Sequence, residues 1–287
     1  MTDGDPDSDV DPLPLMPDEP ADFRPPPPAP TTTTHTLTTA PYETLTLRLV
    51  GHNPLWGHHL WNAAVVLAGY LEQHTALFCA GRVLELGAGA GLPSLVCALR
   101  GAAEVHSPAP HSHPLPIPTL ELTERGRSGR RKVVITDYPD APLIANLRTN
   151  IAAAPLPTHG GGEHAGGATP PTHVRAEGYV WGNSPVPAHD CDLLILSDLL
   201  FNHSEHDKLV RTVLQALKPA TGRALVFFSP HRPWLLSADL AFFERCEQAG
   251  LRVERIVQHL CPRPMFEDDR GDRDLRRTVF GYTVWRD

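Results

Sequence analysis

The run Arg82-Val83-Leu84-Glu85-Leu86-Gly87-Ala88-Gly89-Ala90-Gly91-Leu92-Pro93 constrains this chain more than any other. Val83, Leu84 and Leu86 supply the apolar residues of a short buried strand. Gly87, Gly89 and Gly91 then remove the side chains that would keep a backbone from turning sharply and lying against a ligand. Pro93 suits the first turn of a helix, where its missing N–H is no loss. Strand, tight turn and helix in that order present a backbone to a nucleotide-like ligand. Glu85 stands just before the bend, where a carboxylate can face a cationic centre; a plainer use is pairing with Arg82 or solvent at a strand edge.

The rest of the chain repeats the rhythm. Structure is expected from Tyr42, where Leu45, Leu47 and Leu49 alternate with polar residues as in a strand. Leu60, Ala64, Leu67 and Leu71 give one apolar stripe to a helix from about Gly57 to Gln73. Further strands are expected at Val133–Thr136, His173–Gly178, Leu193–Leu196 and Arg223–Phe228, with a last pair near Leu251–Leu260 and Arg277–Trp285. Helices are expected between them, one from about Pro142 to Asn150, one from Ser204 as N-cap to Leu217, and one from Ser237 to Gly250. Alternating strands and helices with two strands last spell an α/β fold: a doubly wound, seven-stranded, Rossmann-like sheet with a C-terminal antiparallel hairpin. The expected organisation is a disordered acidic and Pro/Thr-rich tail over 1–40 and one domain over 41–287. That domain carries flexible insertions at about 106–132 and 155–172, too long and too rich in Pro and Gly for ordinary connections.

Charge narrows the partners. Eight acidic residues face Arg24 alone within 1–30, so nearly all of the net −8 sits in the tail. With three lysines in the whole chain and no basic stripe, nucleic acid is not expected. Cys79, Cys97, Cys191, Cys246 and Cys261 are scattered, odd in number and lack a C-x-x-C pair, which suits a reduced compartment. No apolar run approaches the roughly 20 residues of a membrane span, and the acidic N-terminus is unlike a secretory or mitochondrial signal. A cytoplasmic monomer away from membranes is expected. His203 and His206 stand at i, i+3 without a further ligand set, so no metal is expected either.

An acidic residue at the tip of the second strand, about 20 residues past the glycines, accepts hydrogen bonds from ribose hydroxyls in such sheets. Asp137 fits once the interruption between 106 and 133 is set aside; a turn-forming Asp before Tyr138-Pro139 is the competing use. Nicotinamide dinucleotides and S-adenosylmethionine both satisfy these features. Gly-Ala-Gly-Ala-Gly is tighter than the pattern that lays a pyrophosphate on a helix. No second mononucleotide half or hydride-relay acid stands out, which favours S-adenosylmethionine.

Several segments carry a family resemblance: Asn53-Pro54-Leu55-Trp56-Gly57-His58, Leu60-Trp61-Asn62-Ala63, Val83 to Ser94, Thr136-Asp137-Tyr138-Pro139-Asp140 and Gly178-Tyr179-Val180-Trp181-Gly182. More specific are Leu196-Ser197-Asp198-Leu199-Leu200-Phe201-Asn202-His203-Ser204-Glu205-His206 and Pro230-His231-Arg232-Pro233-Trp234. The chain resembles the class I (seven-strand) methyltransferases. Within them it is similar to the fungal-type protein N-terminal and lysine methyltransferases of elongation factor 1-alpha, once described as nicotinamide N-methyltransferases. The likeness runs from about residue 20 to the end, apart from the two insertions.

The resemblance implies S-adenosylmethionine as cofactor and elongation factor 1-alpha as protein substrate. It also implies a set of contacts. Trp56 closes over the cofactor, Gly87, Ala88 and Gly89 line its methionine and ribose, and Asp137 holds the ribose hydroxyls. Trp181 flanks the adenine, and Ser197 stands at the tip of the fourth strand near the methionine end. Two aromatic walls suit a purine and a sulfonium, although both tryptophans could serve as core. Asp198 and His203 follow the fourth strand, where such sheets bind substrates, and are expected to orient the acceptor amine. The acidic segment Glu267 to Asp274 is a solvated loop or an attractor for a lysine-bearing terminus. Two rivals remain: a small-molecule N-methyltransferase of the nicotinamide type, and a binding module that has lost turnover.

Overall fold

The computed structural model describes residues 28–79, 81–102, 132–156 and 173–287. The acidic stretch before residue 28 and nearly all of both expected insertions lie outside the described residues. The elements in chain order are β1 (Thr31–Thr36), β2 (Thr44–Leu49), α1 (Asn62–Gln73), β3 (Arg82–Leu86), α2 (Leu92–Ala102), β4 (Lys132–Asp137), α3 (Ala141–Ala153) and β5 (His173–Gly178). They continue as β6 (Leu193–Ser197), α4 (His206–Ala216), β7 (Arg223–Phe228), α5 (Leu236–Gln248), β8 (Arg252–Leu260), α6 (Arg273–Arg276) and β9 (Thr278–Trp285).

Seven strands form one sheet in the order β5-β4-β3-β6-β7-β9-β8. β3 to β7 run parallel, and β9 inserts antiparallel between β7 and β8. The expected doubly wound sheet and closing hairpin are both present. Parallel strands covered on both faces need apolar residues at every position, and the parity of each strand sorts them. Val83, Val133, Ile135, Leu193, Ile195, Leu225 and Phe227 pack with residues of α1, α2 and α3. Leu84, Leu86, Val134, Leu194, Leu196, Val226 and Phe228 pack with α4 and α5. Glu85 falls on the same parity as Val83, so its carboxylate enters the α2 side of the core.

Three local readings change. The tail expected to be disordered over 1–40 contains β1, which pairs antiparallel with β2 from Thr31↔Leu49 to Thr36↔Thr44. Its threonines are β-branched and fit a pleated, half-exposed surface. The segment after β1 is tied down by Glu72 of α1, whose carboxylate accepts hydrogen bonds from the backbone and hydroxyls of Thr38 and Thr39. β2 in turn is fastened to α3: Asn146 and Asn150 both donate to the Arg48 carbonyl. The first long helix starts at Asn62 rather than Gly57, because Trp61 is extended and the rings of 56–61 pack together. Ser204 sits inside a 3₁₀ turn, His203–Glu205, and does not cap α4.

Candidate functional site

The winding of the sheet reverses between β3 and β6. From β3 the chain moves outward to β4 and β5, then returns to lay β6 on the opposite side of β3 and β7 beyond it. Such a reversal leaves a crevice at the carboxyl ends of the two central strands. Leu86 is paired with Leu196 in register, so Gly87 and Ser197 come next, side by side, at that crevice.

Gly87, Gly89 and Gly91 all have φ between +56° and +77°, a region that disfavours residues carrying a Cβ. They differ in surroundings. A Cβ on Gly87 would lie 2.6 Å from Leu199 Cδ2 and 3.1 Å from Trp181 Cζ2, and one on Gly91 would lie 3.1 Å from Leu147 Cδ2. Around Gly89 nothing comes within 4 Å. The outer two glycines therefore admit packing neighbours, whereas the middle one borders open space.

Asp137, at the tip of β4, organises that space. Its Oδ2 accepts the Gly89 N–H at 2.8 Å and its Oδ1 accepts the Tyr138 N–H at 2.7 Å. Burial raises its pKa, and these two backbone donors pull it back. The Ala88 N–H donates to the Thr136 carbonyl at 3.0 Å and the Tyr179 N–H to the Asp137 carbonyl at 2.8 Å, lacing the bend to the ends of β4 and β5. Trp181 reaches the bend from just past β5. Behind it, Glu85 is wholly buried. Its Oε2 accepts the Ser94 N–H at 3.2 Å, its Oε1 has no hydrogen bond, and burial pushes its carboxyl up to about 8.

A second polar group lies at the ends of β6 and β7. Asp198 has φ +59°, a turn that Asp tolerates better than most residues. Its Oδ1 accepts the Ser229 N–H at 3.3 Å, and His231 Nε2 lies 3.1 Å from both of its oxygens. Burial works against a charged His231, but the Asp198 carboxylate outweighs it and raises the pKa above the ordinary value. The hydroxyls of Ser197 and Ser229 are buried and make no hydrogen bond. Trp61 meets His231 edge-on at 5.0 Å between ring centroids and Phe266 at 6.0 Å. Trp56 joins them at 6.4 Å from Trp61 and 6.1 Å from Phe266. It is 46% exposed, with φ +62°. His59, whose pKa is lowered by burial and by His58 and His52, completes the cluster.

The structure thus gathers Gly87, Ala88, Gly89, Asp137 and Trp181 around one bend, with Ser197 and Asp198 next to it across the β3–β6 pair. It separates His203 from Asp198: His203 Nε2 bonds Asp239 Oδ1 at 2.7 Å instead, and Asp198 takes His231. Trp56 stands with the aromatic cluster of Trp61 and Phe266. Sequence reasoning gave no role to His231, Ser229, Trp61 or Phe266. Ser229 and His231 had a usable signal, because Phe228 ends a buried parallel strand and such sheets place chemistry just beyond those ends. Phe266, inside an acidic loop, had none. No group of three His, Cys, Asp or Glu among the described residues is placed to hold a metal ion.

Comparison with known proteins supplies the family. A family model described as lysine methyltransferase matches residues 41–107. The protein N-terminal and lysine N-methyltransferase EFM7 of Eremothecium gossypii is 43% identical over 248 residues, covering 82% of this chain and 78% of that protein. Its namesake in Candida glabrata is 39% identical over 278 residues, covering 92% and 93% respectively. Among solved structures, a candidate SAM-dependent methyltransferase from Streptococcus mutans aligns with a TM-score of 0.51 and 11% identity. That alignment covers 88% of this chain and 55% of the other, a likeness of fold. This chain belongs to the family of protein N-terminal and lysine N-methyltransferases.

Proposed function

We propose that this methyltransferase transfers methyl groups from S-adenosylmethionine to the N-terminal α-amine and an adjacent lysine of elongation factor 1-alpha, as a cytoplasmic monomer. The observation that carries the reading is the pairing of two unlike halves across the β3–β6 crevice. One half is a glycine bend with a buried carboxylate on each side, and the other is the buried Asp198 paired with a part-buried His231 and walled by aromatic rings.

The residues of the bend fit the cofactor. Open space over Gly89 leaves room for it, and the unpaired Glu85 Oε1 offers a buried acceptor to its cationic end. Each Asp137 oxygen keeps lone-pair capacity beyond its one backbone donor, enough for ribose hydroxyls. Gly87, Ala88 and Gly89 would line the methionine and ribose, Trp181 the adenine, and Ser197 the methionine end. Trp56, exposed on its strained turn, would close over the top. When bound, S-adenosylmethionine supplies a methyl group on a positively charged sulfur, open to direct displacement by an amine lone pair. The protein aligns the acceptor and keeps water away. Asp198 places negative charge where a cationic amine arrives, and the rings of Trp56, Trp61 and Phe266 suit a cation. The acidic segment beyond Phe266 extends that preference outward. A reduced compartment agrees with Cys97, Cys191, Cys246 and Cys261 being buried thiols outside any disulfide. No helix among the described residues is long and apolar enough to cross a membrane.

The test is transfer of label from methyl-labelled cofactor to purified elongation factor 1-alpha, to its N-terminal peptide and to nicotinamide. Label on the protein and peptide is expected. Label on nicotinamide alone would move the acceptor to small molecules, and none on any of the three would remove the reading.

A further inference from the structure

We propose that His231 is the proton acceptor for the incoming α-amine, held in place by Asp198, and that it lets this enzyme work on an N-terminus near neutral pH. The inference rests on the reading above and assigns a catalytic role that His203, committed to Asp239, does not fill.

An amine must arrive without its extra proton, because an ammonium has no lone pair to attack with. His231 is built to take that proton. Its Nε2–H donates to the two oxygens of Asp198, which fixes the ring and leaves Nδ1 as the basic nitrogen. Nδ1 accepts no hydrogen bond among the described residues. The step balances simply: the N–H bond of R–NH₃⁺ breaks, the proton passes to Nδ1, and the bonding pair stays on nitrogen as the nucleophilic lone pair. The imidazolium formed is neutralised by the Asp198 carboxylate, an arrangement in which the carboxylate orients and stabilises the ring.

The surroundings are one-sided. His231 faces Asp198 at the end of β6, Asp239 of α5 and Asp269 of the β8–β9 connection, all of which favour its charged form. Arg232, its neighbour, is engaged with the Phe201 carbonyl at 2.6 Å and lies near Asp239. His203 is the further base facing Asp239. Trp61 and Phe266 cover the ring edge-on at centroid distances of 5.0 and 6.5 Å. The buried hydroxyls of Ser197 and Ser229 flank Asp198 with no partner of their own, two unfilled positions that an amine and its peptide could use. A strengthened imidazole is well matched to an α-amine, whose pKa is near 7.7–8.0, and poorly matched to a lysine near 10.4.

The experiment compares wild type with His231→Gln on an N-terminal peptide whose lysine is blocked, at pH 7 and pH 9. About one-tenth of a free α-amine is neutral at pH 7 and about nine-tenths at pH 9. The variant should therefore lose about tenfold in kcat/KM at pH 7 and less than about twofold at pH 9, with peptide KM little changed. An equal loss at both pH values, or none at pH 7, would overturn the proposal while leaving the methyltransferase reading intact. Wild type that labels no peptide at either pH would overturn both. Should the variant fail to fold, the wild-type kcat/KM profile decides. Its acid limb should coincide with the His231 ring titration followed by NMR, and a limb that tracks the α-amine alone would sink the assignment.

Discussion

The two halves of the crevice are built by opposite strategies. At the end of β3 the bend is made of consecutive residues, and the surface it presents to the crevice is largely backbone: three glycines and the Gly89 N–H held by Asp137. At the ends of β6 and β7 the polar group is made of side chains, assembled from Trp61 before α1, Asp198 after β6, His231 after β7 and Phe266 between β8 and β9. A backbone surface tolerates almost no change at its glycines and recognises what any such ligand has in common. A side-chain surface can be retuned residue by residue. On the proposed reading, that difference is what a fixed methyl donor and a protein acceptor require of one site.

Adding a single methyl group at Gly89 is the strongest way to break the contrast. Nothing lies within 4 Å of the added carbon, so Gly89→Ala should fold, losing about 1–2 kcal/mol to its left-handed backbone. The same carbon occupies the space assigned to the cofactor, and affinity should fall by about a hundredfold or more, about 3 kcal/mol. Calorimetric titration beside a melting curve separates the two effects. Retained affinity would place the cofactor elsewhere. Asp137→Ala comes next. It removes the proposed ribose contacts and releases the Gly89 N–H, and should weaken cofactor binding by about 1–3 kcal/mol with peptide KM nearly unchanged. A rise in peptide KM instead would mean that the two halves do not divide their work.

The same contrast explains what was legible from the residues alone. The bend could be read because its meaning is local: glycine spacing dictates a turn, and the flanking apolar run dictates a buried parallel strand. The sheet followed, since strand–helix alternation leaves few topologies. The half proposed for the acceptor is not local. Nothing near His231 in sequence announces Asp198, which lies 33 positions earlier and meets it only because β6 and β7 are neighbours. His203, close to Asp198 in sequence, is carried away by the 3₁₀ turn onto Asp239 of α5. The threonine run that becomes β1 was misread for a related reason. Its own composition lacks a core pattern, and its order comes from β2 and from Glu72 on a helix more than thirty residues away.

Glu85 sharpens the comparison through pH. Burial raises its carboxyl from the usual range to about 8 in the folded protein. A group raised in this way stabilises the fold fully below its unfolded pKa, near 4.3, and that contribution is lost as pH rises through the folded value. The cofactor-free protein should therefore lose about 2 kcal/mol between pH 6 and pH 8 from this residue alone. Glu85→Gln should abolish that slope, so its melting temperature should overtake the wild type's as pH approaches 8. Parallel curves for the two proteins would show that Glu85 is already ionised in the fold. A cationic ligand end beside Glu85 should also favour its charged form. Cofactor binding near pH 7 should then release a proton, visible as a dependence of the binding heat on the buffer's ionisation enthalpy.

The smallest effect should come from His203, the imidazole nearest Asp198 in sequence. Its bond to Asp239 joins a part-exposed ring to a buried carboxylate whose pKa burial has raised. His203→Ala leaves that carboxylate free to take a proton of its own, which limits the damage. A stability loss of about 1 kcal/mol is expected, with turnover on the N-terminal peptide within about twofold of wild type at both pH 7 and pH 9. Set beside His231→Gln, the pair separates a histidine that holds the loop from one that meets the amine. Should His203→Ala instead reproduce the pH-dependent loss, the acceptor half would be organised around Asp239 and α5, and the division between the two ends of the crevice would have to be redrawn one strand further from the bend.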